Sequence, residues 1–469
     1  MDKQKGQLSL QVLIIGSVAL FLISGFVLWT DSYVRGVSRG VDGSQAFTIA
    51  EAGIEYYRWH LAHDPEDFQD GTGEDGTYIH EYFDKDGVRI GVFELDITPP
   101  VSGSGIVTIR STGRVDADPT AYRVIEARLA QPSLARYSVA ANDDIRFGEG
   151  TEVYGRLHSN GGIRFDGVAY NLVTSAKETY NDPDHSGNSE FGVHTHVEPV
   201  DPSPSNPVPA RTDIFKAGRS FPVPALDFDG LIQNLSTLQT LAEEDGYYRE
   251  SSNDDGYHLV LKSNDKFDIY KVTKLVKAPK NCPASQSQWG TWSIDSETLL
   301  ESNVDFPDNG IIFLEDDTWV EGVIDTARLT IAVGRFPEAP GQYKHIIVND
   351  DLTYTNYDGQ DVIALVAQGN FNVGLESEDD LRIDAAIIAQ NGRAGRDYYD
   401  DDCGSGYQRD IITLYGMIIS NQRYGFAYTD GTGYEDRVIM YDGNLLYGPP
   451  PNFPLTSTQF DILSWDEIK

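Results

Sequence analysis

Residues 7–30 carry no charged side chain, and nothing else in the chain restricts its fold so tightly. At 1.5 Å per residue a helix over 8–29 is roughly 33 Å long, enough for the roughly 30 Å hydrocarbon layer of a bilayer. Lys3 and Lys5 precede the run and Asp31 follows it, so the positive-inside rule places the N-terminus in the cytoplasm and the remainder across the membrane. A cleaved secretory peptide would have a shorter apolar core followed by small residues. Here Trp29, Thr30, Asp31, Ser32 and Tyr33 follow instead. The expectation is a single-pass anchor with an exported body at the cell surface.

The residues ahead of the run, MDKQKGQLSLQ, resemble the class III signal of type IV pilins. The resemblance implies a leader of residues 1–6, cut by a dedicated prepilin peptidase between Gly6 and Gln7, with the apolar helix retained. Pilins carry Glu at the fifth mature position; this chain has Gln11 there. An ordinary signal anchor that follows a glycine is the alternative. Farther on, Phe47, Ala50, Ile54, Tyr57 and Leu61 fall on one helical face. The stretch SQAFTIAEAGIEY at 44–56 resembles the AEAG signature of PilX-like type IV pilus-associated proteins. By that resemblance Gln11 and Glu51 belong to assembly. Gly36, Gly40 and Gly43 each cost a helix interior ~1 kcal/mol, so a kink or local melting is expected between the membrane and the motif.

The runs at 88–95, 105–111 and 121–129 read as strands of a small antiparallel sheet, with an acidic, Gly-rich loop at 64–77. Helix followed by meander is the layout of a pilin head, and TIRSTGRV at 108–115 is similar to pilin-like chains. Beyond residue 135 short β-runs alternate with Gly, Asn and Asp. HSNGG at 158–162 resembles the rungs of exported PilX-like proteins. Ile311, Ile346 and Leu381 are evenly spaced, and quartets such as ALVA at 364–367 predict strands buried on both faces. The expected fold is α+β: a transmembrane, pilin-like helix with a small antiparallel sheet, then a mainly β body. That body reads as a parallel β-helix, with a β-sandwich as the alternative. The expected segments are leader 1–6, transmembrane helix 7–30, exported helix 31–62, sheet 63–134, first rungs 135–198, a Pro-rich linker with inserted helix and strands 199–302, and the main body 303–469. Within the insert, Leu231, Leu235, Leu238 and Leu241 predict one helix laid on the body.

The chain has 73 Asp+Glu against 36 Lys+Arg, a formal net charge of −37, which repels phosphate backbones and excludes nucleic acid as a partner class. Cys282 and Cys403 form one bridge or remain two buried thiols. Asp182, Asp184, Ser186 and Glu190 partly match a calcium loop that lacks the usual final Glu. Asp400–Asp402 is a further acidic loop. His158, His185, His194 and His196 fall in one stretch, and His194 and His196 share one strand face, half of a metal site. The alternative is surface histidines in a polar loop. Asp350-Asp351 and Asp379-Asp380 suggest acid pairs, yet adjacent strand residues face opposite ways, and no phosphate loop, nucleophile elbow or HExxH occurs. No cofactor is expected, with calcium the one candidate ion. The functional expectation is a non-enzymatic minor pilin, tip component or adhesin. Its partners would be the membrane, the prepilin peptidase, other pilins, the assembly machinery and surface glycans. The alternative is a signal-anchored surface β-helix that binds or cleaves polysaccharide.

Overall fold

The computed structural model describes residues 3–100, 105–131, 133–185, 189–228, 230–286, 290–446, 448–455 and 459–468. The architecture is α+β: one N-terminal apolar helix, a small sheet, and an extensive β-rich body. It divides into two compact units. The first takes Met1–Pro99, Val107–Ala130 and Gln459–Lys469, and the second takes Pro100–Ile106 and Gln131–Thr458.

In the first unit, helix α1 (Lys3–His63) runs unbroken. Gly36 and Gly40 sit in it where an added Cβ would meet nothing, and the expected local melting does not occur: the helix is continuous through both. From Leu10 to Val41 every side chain is exposed, and this apolar part is long enough to cross a membrane. Its length and composition suit either a membrane anchor or a signal sequence. From Gly43 onward the helix has a buried face formed by Ala46, Ile49, Ala50, Ile54, Tyr57 and Leu61. Phe47, expected on that face, is half-buried and meets the Trp465 ring edge-on at 5.7 Å.

That face rests on a five-stranded antiparallel sheet of β1 (Thr77–Phe83), β2 (Arg89–Thr98), β3 (Ile106–Val115), β4 (Asp118–Ala130) and the C-terminal strand Asp461–Ile468, in that order. Two glycines set the depth of packing. A Cβ on Gly113 of β3 would meet the backbone of α1, at 2.5 Å from Ala50 N and 3.1 Å from its Cα. A Cβ on Gly53 would meet the Ser111 hydroxyl, with Phe93 Cδ2 at 3.0 Å and Leu95 Cδ2 at 3.1 Å. The AEAG and STG motifs are thus two sides of one close helix–sheet contact. The residues after Thr458, expected in the body, leave it: Asp461–Ile468 pairs antiparallel with β4, Trp465 opposite Ala127.

The second unit is built on parallel ladders. One column carries the register partners Ile311, Thr330, Ala364, Ala386 and Met417. It continues where Ile418 pairs with Val139, then Val139 with Leu157, and Leu157 with Val173. The earliest rungs of the unit therefore stack on its latest. An amide ladder crosses the same junction: Asn142 Nδ2 donates to Asn421 Oδ1 at 2.7 Å, and Asn160 Nδ2 to Asn142 Oδ1 at 2.7 Å. Ile311, Ile346 and Leu381 do not stack on one another. Ile346 pairs with Thr318 and Phe371, in a neighbouring column, and Leu381 pairs with Ile412. Loops of unequal length separate the rungs, so the even spacing is no repeat.

The apolar quartets are buried on both faces, as their composition predicts. Ile312, Leu314, Ile331, Val333, Ile363 and Leu365 point into one core cluster, and Ile311, Phe313, Ala332, Val362, Ala364 and Val366 into another. Helix α2 (Gly230–Asp245) covers the second with Leu235, Leu238 and Ala242. The Pro-rich segment after residue 198 is no free linker. Arg211 donates to Val197 O and Pro199 O, and Arg219 to Val193 O, Pro209 O and the buried Asp201 carboxylate. Gly256–Lys262, Lys266–Leu275 and Ile294–Asp305 form an antiparallel insert, whose first strand runs parallel to Thr318–Ile324.

Candidate metal centre

Short elements of the second unit bring the predicted histidines together. The hairpin of Thr179–Asn181 with Ser189–Phe191 sets Glu190 opposite Tyr180 and Asp182 directly after its first strand. Val193–His194 pairs in parallel with Ile163–Phe165, fixing His194. The backbone beyond is held by two buried carboxylates: His196 N donates to Asp166 Oδ1 at 2.8 Å and Thr195 N to Asp201 Oδ2 at 3.2 Å. Gly162 of the HSNGG motif leaves the space in which the Tyr180 ring lies. Tyr180 Oη is then 3.3 Å from His194 Nδ1.

Two overlapping triads result, Asp182–His194–His196 and His185–Glu190–His196, each with ligand atoms within 4.8 Å of one another. In the first, His194 Nε2 lies 3.5 Å from Asp182 Oδ2. Asp182 Oδ2, His194 Nε2 and His196 Nε2 are buried with no hydrogen-bond partner among the described residues. Buried polar atoms are rarely left so. Arg164 Nη1 stands 3.6 Å from Asp182, while its Nε is taken by Asp166 at 2.7 Å. In the second triad His185 Nδ1 and Glu190 Oε1 are 3.1 Å apart.

Burial, then the neighbouring His196, push the His194 imidazole down to about 4. Burial and the Arg164 charge also hold His196 below its ordinary value. Both shifts favour the neutral imidazole, the form whose lone pair binds a metal. Burial, with Asp182 and Asp144 nearby, keeps the Tyr180 phenol well above its ordinary range, so it stays protonated.

The calcium-loop residues do not converge. Asp182 and Glu190 face the two triads, but Asp184 turns to Arg423 at 2.7 Å and Arg146 at 3.6 Å. Partial burial opposes its charge, yet the two guanidiniums hold its carboxyl below the usual value. Ser186 lies outside the described residues. His158 is satisfied at both nitrogens, by Thr174 at 2.9 Å and Asn160 at 3.0 Å, and takes no part. The sequence clue that mattered was the His194–His196 alternation.

The remaining candidates fall elsewhere. Gly6 and Gln7 lie in the first turns of α1, and Gln11 and Glu51 are exposed on it. Cys282 and Cys403 are bonded to each other. Asp401–Cys403 forms a short 3-10 turn after Asp400. Asp379 pairs with Arg409 at 2.5 Å, and Asp351 Oδ1 accepts from Arg382 N at 2.8 Å. Asp350 lines an open groove of about 490 Å³ with Glu297, Glu321, Glu376, His258 and Trp319. Sequence reasoning missed this groove, since its residues come from separate rungs and from the insert.

No family model matches the chain, and no curated protein matches it. Among solved structures it is similar to the competence-associated pilin ComZ from Thermus thermophilus, at 13% identity and a TM-score of 0.29, over 91% of this chain and 98% of that one. At that score the likeness carries no argument about this chain.

Proposed function

We propose that this chain is a non-catalytic structural component of a type IV pilus-like assembly at the cell surface, anchored by its N-terminal helix. The observation that carries the reading is the division of labour within α1. From Leu10 to Thr30 it is uncharged and exposed throughout, as a helix meant for lipid or for a bundle of like helices must be. Its second half is sunk by Gly53 and Gly113 into an antiparallel sheet. We read the second unit as a parallel β-helix, supported by its parallel columns and its Asn ladder. The bridge between Cys282 and Cys403 suits an oxidising, extracytoplasmic setting. In this reading the partners are the membrane, a prepilin peptidase acting at Gly6–Gln7, and other pilins. Gln11, uncharged, fits a capping subunit better than a self-polymerising one, since no buried charge waits for a neighbour's amine.

Mass spectrometry of the native membrane-extracted protein tests this. The mature chain should begin at Gln7, and Gly6→Leu should block processing. An intact Met1 in the native protein would refute the pilin reading.

The acidic groove favours a second reading, a surface protein that binds or cleaves polysaccharide. Incubation with a glycan panel decides it: turnover that disappears in Glu321→Gln makes the chain an enzyme, and no turnover leaves the structural reading in place.

A further inference from the structure

We propose that Asp182, His194 and His196 bind one zinc-class divalent transition ion, and that this ion fastens the hairpin 179–191 to the adjoining rung. The three ligand atoms are buried, face one another, and have no hydrogen-bond partner among the described residues. An apo site of this kind leaves desolvated lone pairs that a metal would satisfy. The spacing fits. Two ligands on a tetrahedral zinc with bonds of ~2.0–2.1 Å lie ~3.4 Å apart, and His194 Nε2 is 3.5 Å from Asp182 Oδ2.

The donor set also selects the ion. Two imidazoles and one carboxylate suit zinc and its neighbours, whereas calcium takes six to eight oxygens. Asp184, which an oxygen cage would need, is committed to Arg423 and Arg146. The outer partners are in place as well. With Nε2 on the metal, Nδ1–H of His194 donates to Tyr180 Oη, which lies 3.3 Å away, and such a partner fixes the tautomer. Arg164 gives its Nε to Asp166 at 2.7 Å, and its Nη1, 3.6 Å from Asp182 Oδ2, would yield that oxygen to the metal while Asp166 keeps the guanidinium paired. Glu190, in the second triad around His196, is the nearest further donor.

The ion would add a direct tie between the hairpin and the rung beside it, where Tyr180 already meets His194. Asp182 follows the strand Thr179–Asn181, while His194 sits on the ladder with Ile163–Phe165. Loading should therefore slow amide exchange over 179–196 and raise the melting temperature.

The test uses the full chain in detergent, stripped with a chelator and titrated with cobalt(II). A stoichiometric complex with the intense visible bands of a four- or five-coordinate ion is expected, displaced by zinc and not by calcium at the same concentration. His194→Gln and Asp182→Asn should each weaken binding at least about 100-fold, and Tyr180→Phe about 10-fold, within the range for an outer-shell partner. Should the first two variants fail to fold, protection of the His194–His196 peptide from diethylpyrocarbonate by zinc in the unaltered protein decides the matter. Absent or weak octahedral bands, displacement by calcium, unprotected histidines, or folded variants that bind cobalt as the parent does would each overturn the proposal.

Discussion

Replacing Gly113 with alanine puts a methyl group where the backbone of α1 already stands. The added Cβ would lie 2.5 Å from Ala50 N and 3.1 Å from Ala50 Cα, well inside ordinary contact distance. Neither atom is the movable end of a side chain, so the helix itself must back away. Overpacking of this kind costs about 1–3 kcal/mol, and a backbone neighbour argues for the upper half, near ~2–3 kcal/mol. Gly53→Ala presses instead on the Ser111 hydroxyl and on the tips of Phe93 and Leu95, which can give. It also gains up to ~1 kcal/mol of helix propensity, so its net cost is about 1 kcal/mol or less. Gly40→Ala meets nothing and stabilises α1 by about 0.5–1 kcal/mol. The assay is hydrogen exchange of the full chain in detergent, read on amides of 46–61 and 107–115. Gly113→Ala should open this contact about 30-fold more often, the factor for 2 kcal/mol, with Gly53→Ala intermediate and Gly40→Ala unchanged or slower. Equal exchange in the Gly113 and Gly40 variants would refute close packing as the reason for these glycines.

His258 lies between Glu297 at 2.8 Å and Glu321 at 3.6 Å. Burial works against its charge, but the two carboxylates outweigh it and raise the imidazole to about 9. Its contribution is therefore full below the unfolded value of ~6.5 and lost as pH climbs through about 9; His258→Gln should flatten the melting temperature over that window. The buried Arg396 has no carboxylate partner among the described residues. It donates to Gly374 O, Leu375 O, Gly406 O and Ser377 Oγ, with the Tyr399 and Tyr434 rings at 5.0 Å and 5.7 Å. Arg396→Met should orphan these acceptors and cost about 3 kcal/mol or more by denaturant titration, with Arg396→Lys recovering only part. Opening the bridge with Cys282→Ser and Cys403→Ser frees a loop spanning a sequence separation of 121, and loop-closure entropy sets an upper limit of ~5 kcal/mol on the loss; an unchanged melting temperature would mean that the bridge constrains little.

The helix and its buried stripe were legible because a 3.6-residue period and an uncharged run are local signals. Ala50, Ile54, Tyr57 and Leu61 are where that period puts them. Doubly buried strands were legible for the same reason, since ALVA has no polar face to expose. Stacking order was not. Ile418 finds Val139 across most of the unit, and a register set by loop closure leaves no periodic trace. The strand Asp461–Ile468 was missed similarly, because its partner β4 lies far back in the chain. At the candidate centre, the alternation of His194 and His196 was visible, but Asp182 joins them only through the hairpin. Asp184, equally prominent in the sequence, is taken by Arg423, a residue no spacing rule connects to it.

The pairing of Asp461–Ile468 with β4 has a temporal side. Helix α1 and β1–β4 are made early, yet the strand that covers β4 is made only after all of 131–458. Until then β4 presents an open row of backbone donors and acceptors, which invites association with other chains. A chain cut short anywhere in the second unit keeps that bare edge and lacks Phe460 and Trp465, which pack on α1 and its sheet in the finished molecule. Closure of the small sheet thus waits on a strand made after the whole second unit, and a protease or chaperone that senses open β-edges would tell chains that carry Asp461–Ile468 from chains cut short before it.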